Sequence, residues 1–114
     1  MGLNSPDKVD YLALAKEDGG LLLALVDDFT GEDQRERFRL IQAKVYRYLD
    51  FIDSGEVYEA AEREFGRPLP RTIPARVRIY AMTGFDEEGR NFILHVQEVA
   101  RQEGVEVDVE LRAE

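Results

Sequence analysis

His95 is the first residue to consider for chemistry, because it is the only histidine in the chain. An imidazole is the side chain best suited to general acid–base catalysis at neutral pH. His95 stands between Leu94 and Val96 in a predicted helix, and the sequence contains neither a cysteine nor a G-x-S-x-G motif to supply a nucleophile beside it. The pattern therefore favours a structural or surface role for His95 and predicts no catalytic residue.

Metal and cofactor sites need convergent ligands or glycine-rich loops. One histidine and no cysteine leave only a hard-cation site, formed by the acids Asp27, Asp28, Glu32 and Asp33. Their spacing is not that of an EF-hand loop, and acids before a helix are explained by its dipole. We therefore expect these four acids to cap the helix and to bind no metal. No G-x-G-x-x-G or P-loop motif is present either, so we expect no cofactor.

Two groups of side chains are candidates for binding. Aromatic residues cluster near a predicted helix–helix junction and would line a pocket or a recognition surface: Tyr46, Tyr48, Phe51 and Tyr58. A second group lies on one face of a predicted strand and would hold an anionic ligand: Arg76, Arg78 and Tyr80. For the aromatic group, the alternative is that about half of its members belong to the core.

Composition limits the class of protein. The chain has 114 residues, a formal charge of −9 and 44% hydrophobic residues, which is typical of one globular domain spanning residues 1–114. The negative charge argues against nucleic acid as a partner. The longest apolar run, 21–26, is too short for a membrane span, and we expect a cytoplasmic protein with no membrane partner.

Hydrophobic periodicity predicts seven elements. Strands are predicted at 8–15, 21–27, 75–82 and 105–112. Helices are predicted at 32–53, from about 54 to Phe65 before Gly66, and from about 84 to Gly104, with Thr30 and Thr83 starting capping boxes. The fold class is α+β, a two-layer sandwich in the order β-β-α-α-β-α-β, whose four-stranded sheet carries its helices on one face.

Strand neighbours follow from apolar content and charge. The uninterrupted run LLLALV predicts that strand 21–27 is central in the sheet. Arg76 and Arg78 are expected opposite the acidic positions Glu106, Asp108 or Glu110, since complementary charges stabilise adjacent strands.

Surplus apolar surface predicts self-association. A sheet covered on one face leaves the other face open, and we expect Leu12, Leu14, Leu22, Ala24 and Val26, or the residues alternating with them, to point there. Leu40 and Phe51 supply a second candidate contact on the longest helix. A twofold dimer burying on the order of 1,000 Å² or more in total is the expected result.

The segment 41–58, IQAKVYRYLDFIDSGEVY, resembles a motif written QxKxxxYLxFIxSGExY. It is similar to a family of uncharacterised small bacterial proteins, a domain of unknown function with a leading β-hairpin and a final strand–helix–strand. The resemblance implies a fold outline and no catalytic residues.

Two functions from different classes remain open at this stage. The first is a non-enzymatic interaction or accessory module, homodimeric or bound to a partner protein. The second is a small protein or minor enzyme that binds an anionic ligand with the sheet face and His95.

Overall fold

The computed structural model describes residues 2–3, 9–14 and 19–112. It contains strands β1 (Tyr11–Leu14), β2 (Leu21–Asp27), β3 (Ala75–Ala81) and β4 (Glu106–Leu111) and helices α1 (Gln34–Asp53), α2 (Glu56–Phe65) and α3 (Glu87–Gln102). Their order, β-β-α-α-β-α-β, and the α+β class are those predicted. Residues 8 and 15, the ends of the predicted strand 8–15, lie outside the described residues.

The sheet is mixed, with strand order β1-β2-β3-β4. β1 pairs with β2 antiparallel, whereas β2–β3 and β3–β4 are parallel. β2 is therefore an interior strand, as its apolar run predicts. Both parallel connections step in the same direction across the sheet, and connections of one handedness then place their helices on the same face.

The core lies between that face and the helices. On β2, Leu21, Leu23 and Leu25 are fully buried, and on β3 Val77 and Ile79 are as well. α1 covers them with the apolar residues that recur at three- and four-residue steps, among them Ile41, Val45 and Tyr48. The ring of Phe38 stacks on that of Phe92, 4.7 Å between centroids, and thereby joins α1 to α3.

Carboxylates begin two of the helices. Asp33, not Thr30, caps α1 by accepting the amide N–H of Arg35 and of Glu36, so the helix starts two residues later than predicted. Asp86 caps α3 by accepting the amide of Gly89 at 2.8 Å. At the C-terminal end of α2, Gly66 has φ +69°, a left-handed conformation that favours glycine and ends the helix.

The β3–β4 register confirms the charge pairing predicted from sequence. Arg76 lies opposite Glu106, and Arg78 lies opposite Asp108. Arg78 Nε is 2.8 Å from Asp108 Oδ1. On the outer side of β4, the side-chain amide of Gln97 in α3 donates to the carbonyl of Val107 at 2.9 Å.

Candidate functional site

The side of the sheet opposite the helices carries an apolar surface that no described helix covers. Side chains alternate between the two faces of a strand, so the residues between the core positions all point to this side. Its apolar part forms a shallow depression of about 360 Å³ that we call the open face, lined by Tyr11, Ala13, Leu22, Ala24, Val26, Tyr80, Met82 and Arg112. Tyr11 and Met82 are 54% and 46% exposed.

Charged side chains border the open face along β3 and β4. The hydrogen bond to Asp108 raises the pKa of the Arg78 guanidinium, and a further bond to Tyr80 acts in the same direction. Arg112 stacks over the Tyr80 ring, 4.9 Å from its centroid. The arginines at this border, Arg78 and Arg112, therefore already contact side chains of the same chain.

The four aromatic residues predicted as one cluster do not form a single site, since Tyr48 and Phe51 line one groove and Tyr46 and Tyr58 are not part of its lining. Tyr48 is buried, and its hydroxyl accepts the amide of Asp10 at 3.0 Å and donates to the carbonyl of Ala24 at 2.9 Å. Tyr58 is buried and donates to the carbonyl of Ile73. Tyr46 is exposed on α1, and Phe51 is half-buried. Two of the four therefore have structural roles in the core, which was the alternative considered for this group.

The residues predicted for self-association divide between the two faces of the sheet. Leu22 and Ala24 point to the open face. Leu12 and Leu14 pair with Leu23 and Leu21, so they lie on the helix side and pack against the core. Their places on the open face are taken by Tyr11 and Ala13. Leu40 and Phe51 are also partly buried against the core, which leaves less free surface on α1 than the sequence pattern predicts.

His95 and the arginine pair lie on opposite sides of the sheet. His95 is exposed on α3, in the helical layer, whereas Arg76, Arg78 and Tyr80 belong to the other face. The structure therefore does not bring the two groups together, and a ligand site that combines them finds no support in it. Within residues 2–3, 9–14 and 19–112, no three histidine, cysteine or acidic side chains come together to hold a metal ion.

A buried ion pair between Asp27 and Arg37 was not predicted. Asp27 was predicted among the capping acids, yet its carboxylate accepts from Nε and Nη2 of Arg37 at 2.9 and 2.6 Å. The remaining Arg37 donors bind the carbonyls of Thr83 and Gly84 and the side chain of Gln34. Its guanidinium carbon lies 4.0 Å from the centroid of the Phe85 ring. Arg37 thus joins the end of β2, the start of α1 and the loop after β3.

Lys44 forms a second buried ion pair, with Asp10. Its Nζ lies 2.8 Å from each carboxylate oxygen and 2.6 Å from the carbonyl of Gly2. Asp10 also accepts the amides of Gly2 and Val26. Burial raises the pKa of the adjacent Tyr48 well above its usual range, and the Asp10 charge adds to the rise, although the bond from the Asp10 amide opposes it.

Helical spacing contained the signal for both buried cations. Arg37, Ile41, Lys44 and Tyr48 follow one another at steps of four, three and four, which places the two basic residues on the core stripe of α1. A basic residue on such a stripe indicates a buried partner.

The chain belongs to the family of unknown function DUF6572, whose family model matches residues 1–113. No curated protein and no solved structure matches it. In the part of the chain that the structure describes, no helix has both the length and the apolar character needed to cross a bilayer.

Proposed function

We propose that this domain is a non-enzymatic self-association module in which two copies pack their open faces together about a twofold axis. The observation that carries the proposal is the run of apolar side chains on the open face, from Tyr11 on β1 through Leu22, Ala24 and Val26 on β2 to Met82 after β3. A second copy presents the same surface, and a twofold contact closes after two subunits.

Charge on this side of the sheet is compatible with such packing. Arg78 is hydrogen-bonded to Asp108, and Arg76 lies opposite Glu106 on the neighbouring strand. A second copy can therefore cover this border without leaving an isolated charge away from water, which would be costly. The net charge of −9 opposes indiscriminate aggregation.

The area of the face sets the strength of the dimer. The strands have 4, 7, 7 and 6 residues. At about 3.3 Å per residue and about 4.8 Å between strands, they give a flat footprint of about 380 Å² per copy, or about 760 Å² for two. This value lies below the 1,200–2,000 Å² range of stable complexes, at about the level of transient ones. We therefore expect a dimer that forms at micromolar or higher concentration and exchanges with the monomer.

Sedimentation equilibrium of the wild type and two charge variants tests the proposal. Met82→Glu places a carboxylate on the open face, and Leu94→Glu places one at a 62% exposed leucine in the helical layer. Both variants change the net charge equally. We expect Met82→Glu to weaken association about tenfold or more, since a charge must then be desolvated. Leu94→Glu should leave it unchanged. A wild-type species of 13.1 kDa at every concentration, or equal effects of the two variants, would contradict the proposal.

An anionic-ligand site is not favoured by the same geometry. Arg78 is engaged by Asp108, and His95 lies in the helical layer on the other side of the sheet. We therefore do not extend the proposal to ligand binding at the sheet.

A further inference from the structure

A groove separate from the open face runs along the side of β1 that faces away from β2, where the described residues form no further strand. It has a volume of about 950 Å³ and lies between β1 and the residues of α1 and α2 that face it. We call it the edge groove; the lining residues that matter for binding are Leu12, Asp50, Phe51, Glu56, Ala60 and Glu64. Tyr11 is the one described residue that it shares with the lining of the open face.

The backbone of β1 presents hydrogen-bonding groups to the edge groove. The amide of Val26 points toward the β1 side, where it donates to Asp10, whereas the amide of Leu21 points toward β3 and donates to Pro74. The direction of the backbone N–H and C=O groups alternates along a strand, so those of Ala24 and Leu22 point toward β1. These residues form the hydrogen-bonded pairs with Tyr11 and Ala13. The N–H and C=O groups of Leu12 and Leu14 consequently point away from β2, the direction from which an added strand would pair.

The walls of the edge groove are acidic over an apolar floor. Asp50 on α1 and Glu56 and Glu64 on α2 are exposed acids along it, with Arg47 as the basic residue in the lining. Phe51 and Ala60 are half-buried between them. Lys44 neutralises the Asp10 carboxylate, so Asp10 does not add to the charge of the groove. The exposed acids on the walls outnumber the single arginine of the lining, and the walls are therefore negatively charged.

We infer that the edge groove binds an extended, basic peptide segment of a partner protein, which adds to β1 as a fifth strand. Backbone pairing with Leu12 and Leu14 supplies the hydrogen bonds, and alternate side chains of the segment enter the groove. Lysine or arginine is the side chain that fits there, because its methylene stem covers Phe51 and Ala60 while its charge reaches Asp50, Glu56 or Glu64. Unlike the proposed dimer, this site recognises a different chain and uses a different surface.

A synthetic heptapeptide of alternating lysine and valine, acetylated and amidated, is the probe. Titrated into ¹⁵N-labelled protein, it should shift the amide signals of Leu12 and Leu14 and of groove residues on α1 and α2 in a saturable manner. The same peptide with glutamate in place of lysine should not bind. A lysine peptide N-methylated on the edge that meets β1 should lose binding, because it cannot donate to the strand.

Two matched charge reversals test the role of the groove wall. Glu64→Lys and Glu103→Lys each replace an exposed acid near a helix end and change the net charge equally, but Glu103 lies outside the edge groove. We expect Glu64→Lys to weaken peptide binding about fivefold or more, whereas Glu103→Lys changes it less than about twofold.

The inference fails if the peptide produces no shifts, if both reversals weaken binding equally, or if the N-methylated peptide binds as well as the unmodified one. It also fails if the Leu12 and Leu14 signals respond to protein concentration instead of peptide, which would assign the edge to a second copy of this chain. Repeating the titration with Met82→Glu separates the two proposals, since that variant should retain peptide binding whatever its effect on association.

Discussion

The Arg37 guanidinium lies 2.6 Å from the Asp27 carboxylate, and both side chains are 1% exposed. Charges removed from water this completely are stable only when every donor and acceptor is satisfied. Arg37 meets that condition, because each of its three nitrogens donates to an oxygen of the chain. The loop after β3 is consequently held by an α1 side chain through two backbone carbonyls, those of Thr83 and Gly84.

Replacing Arg37 with methionine should destabilise the fold strongly. The Asp27 carboxylate would remain buried without its partner, and such losses cost about 3–5 kcal/mol. Arg39→Met is the matched control, because Arg39 lies on the same helix, is 66% exposed and pairs with Glu36 at the surface. Urea unfolding should show a change within about 0.5 kcal/mol for the control. Similar midpoints for the two variants would show that the buried pair does not stabilise the fold.

Stability should decrease in alkaline solution through Tyr48. Burial raises the pKa of this phenol above its ordinary value of 10, so the folded protein holds the proton more tightly than the unfolded chain. Its contribution is complete below pH 10 and is lost as the pH rises above that value, by at most about 1.4 kcal/mol per pH unit. The free energy of unfolding, measured from pH 8 to about pH 11.5, should fall less steeply for Tyr48→Phe. Tyr46→Phe, the exposed tyrosine of the same helix, should keep the wild-type slope.

Gly2 should tolerate alanine less well than Gly55 does. Both glycines have φ +82°, so the backbone strain of a side chain is common to the two positions and costs about 1–2 kcal/mol. At Gly55 a Cβ would meet no atom, whereas at Gly2 it would overlap the Asp28 carboxylate. Moving that carboxylate breaks its hydrogen bond with the Leu3 amide, for a further loss of about 1 kcal/mol. Thermal unfolding of Gly2→Ala and Gly55→Ala measures the difference, and equal destabilisation would contradict the steric argument.

The cross-strand pair Arg78–Asp108 should couple weakly. Its side chains are 29% and 44% exposed, so solvent screens the interaction. A double-mutant cycle with Arg78→Ala and Asp108→Ala should give a coupling energy of about 0.2–1 kcal/mol that decreases with added salt. A coupling energy of zero at low ionic strength would mean that the Arg78–Asp108 charges do not help to fix the register of β3 on β4.

The helices and strands of this fold could be predicted because their apolar residues recur at the expected spacing, every two residues in strands and every three or four in helices. β2 was located to the residue, since its apolar run ends at Asp27, and the β3–β4 pairing followed from the alternating charges. The buried pairs were not found, because Arg37 and Lys44 resemble surface residues until their position on the core stripe of α1 is considered. Tyr48 and Tyr58 show the same limit, since an aromatic side chain in a helix is compatible with a pocket and with a core.

The open face was predicted, but its composition was not fully correct. Which alternating set faces the helices depends on the pairing of β1 with β2, and a shift of one residue exchanges the two faces. Leu12 and Leu22 were therefore predicted on the same face, although the register puts them on opposite faces of the sheet. Two residues of the edge groove, Tyr48 and Phe51, belong to the aromatic group predicted near the helix–helix junction. The contribution of β1 to the groove could not be predicted, because it depends on how α1 and α2 pack beside that strand.

Gln97 makes the two margins of the sheet unequal. By donating to the outward carbonyl of Val107, it occupies one of the positions through which a further strand would join β4. A fibril grows by edge-to-edge strand pairing only if each subunit offers two open sheet edges, one to the preceding subunit and one to the following subunit. With one carbonyl of the β4 margin already bonded, a further strand would pair less readily at β4 than at β1, which opposes such repeated edge-to-edge growth.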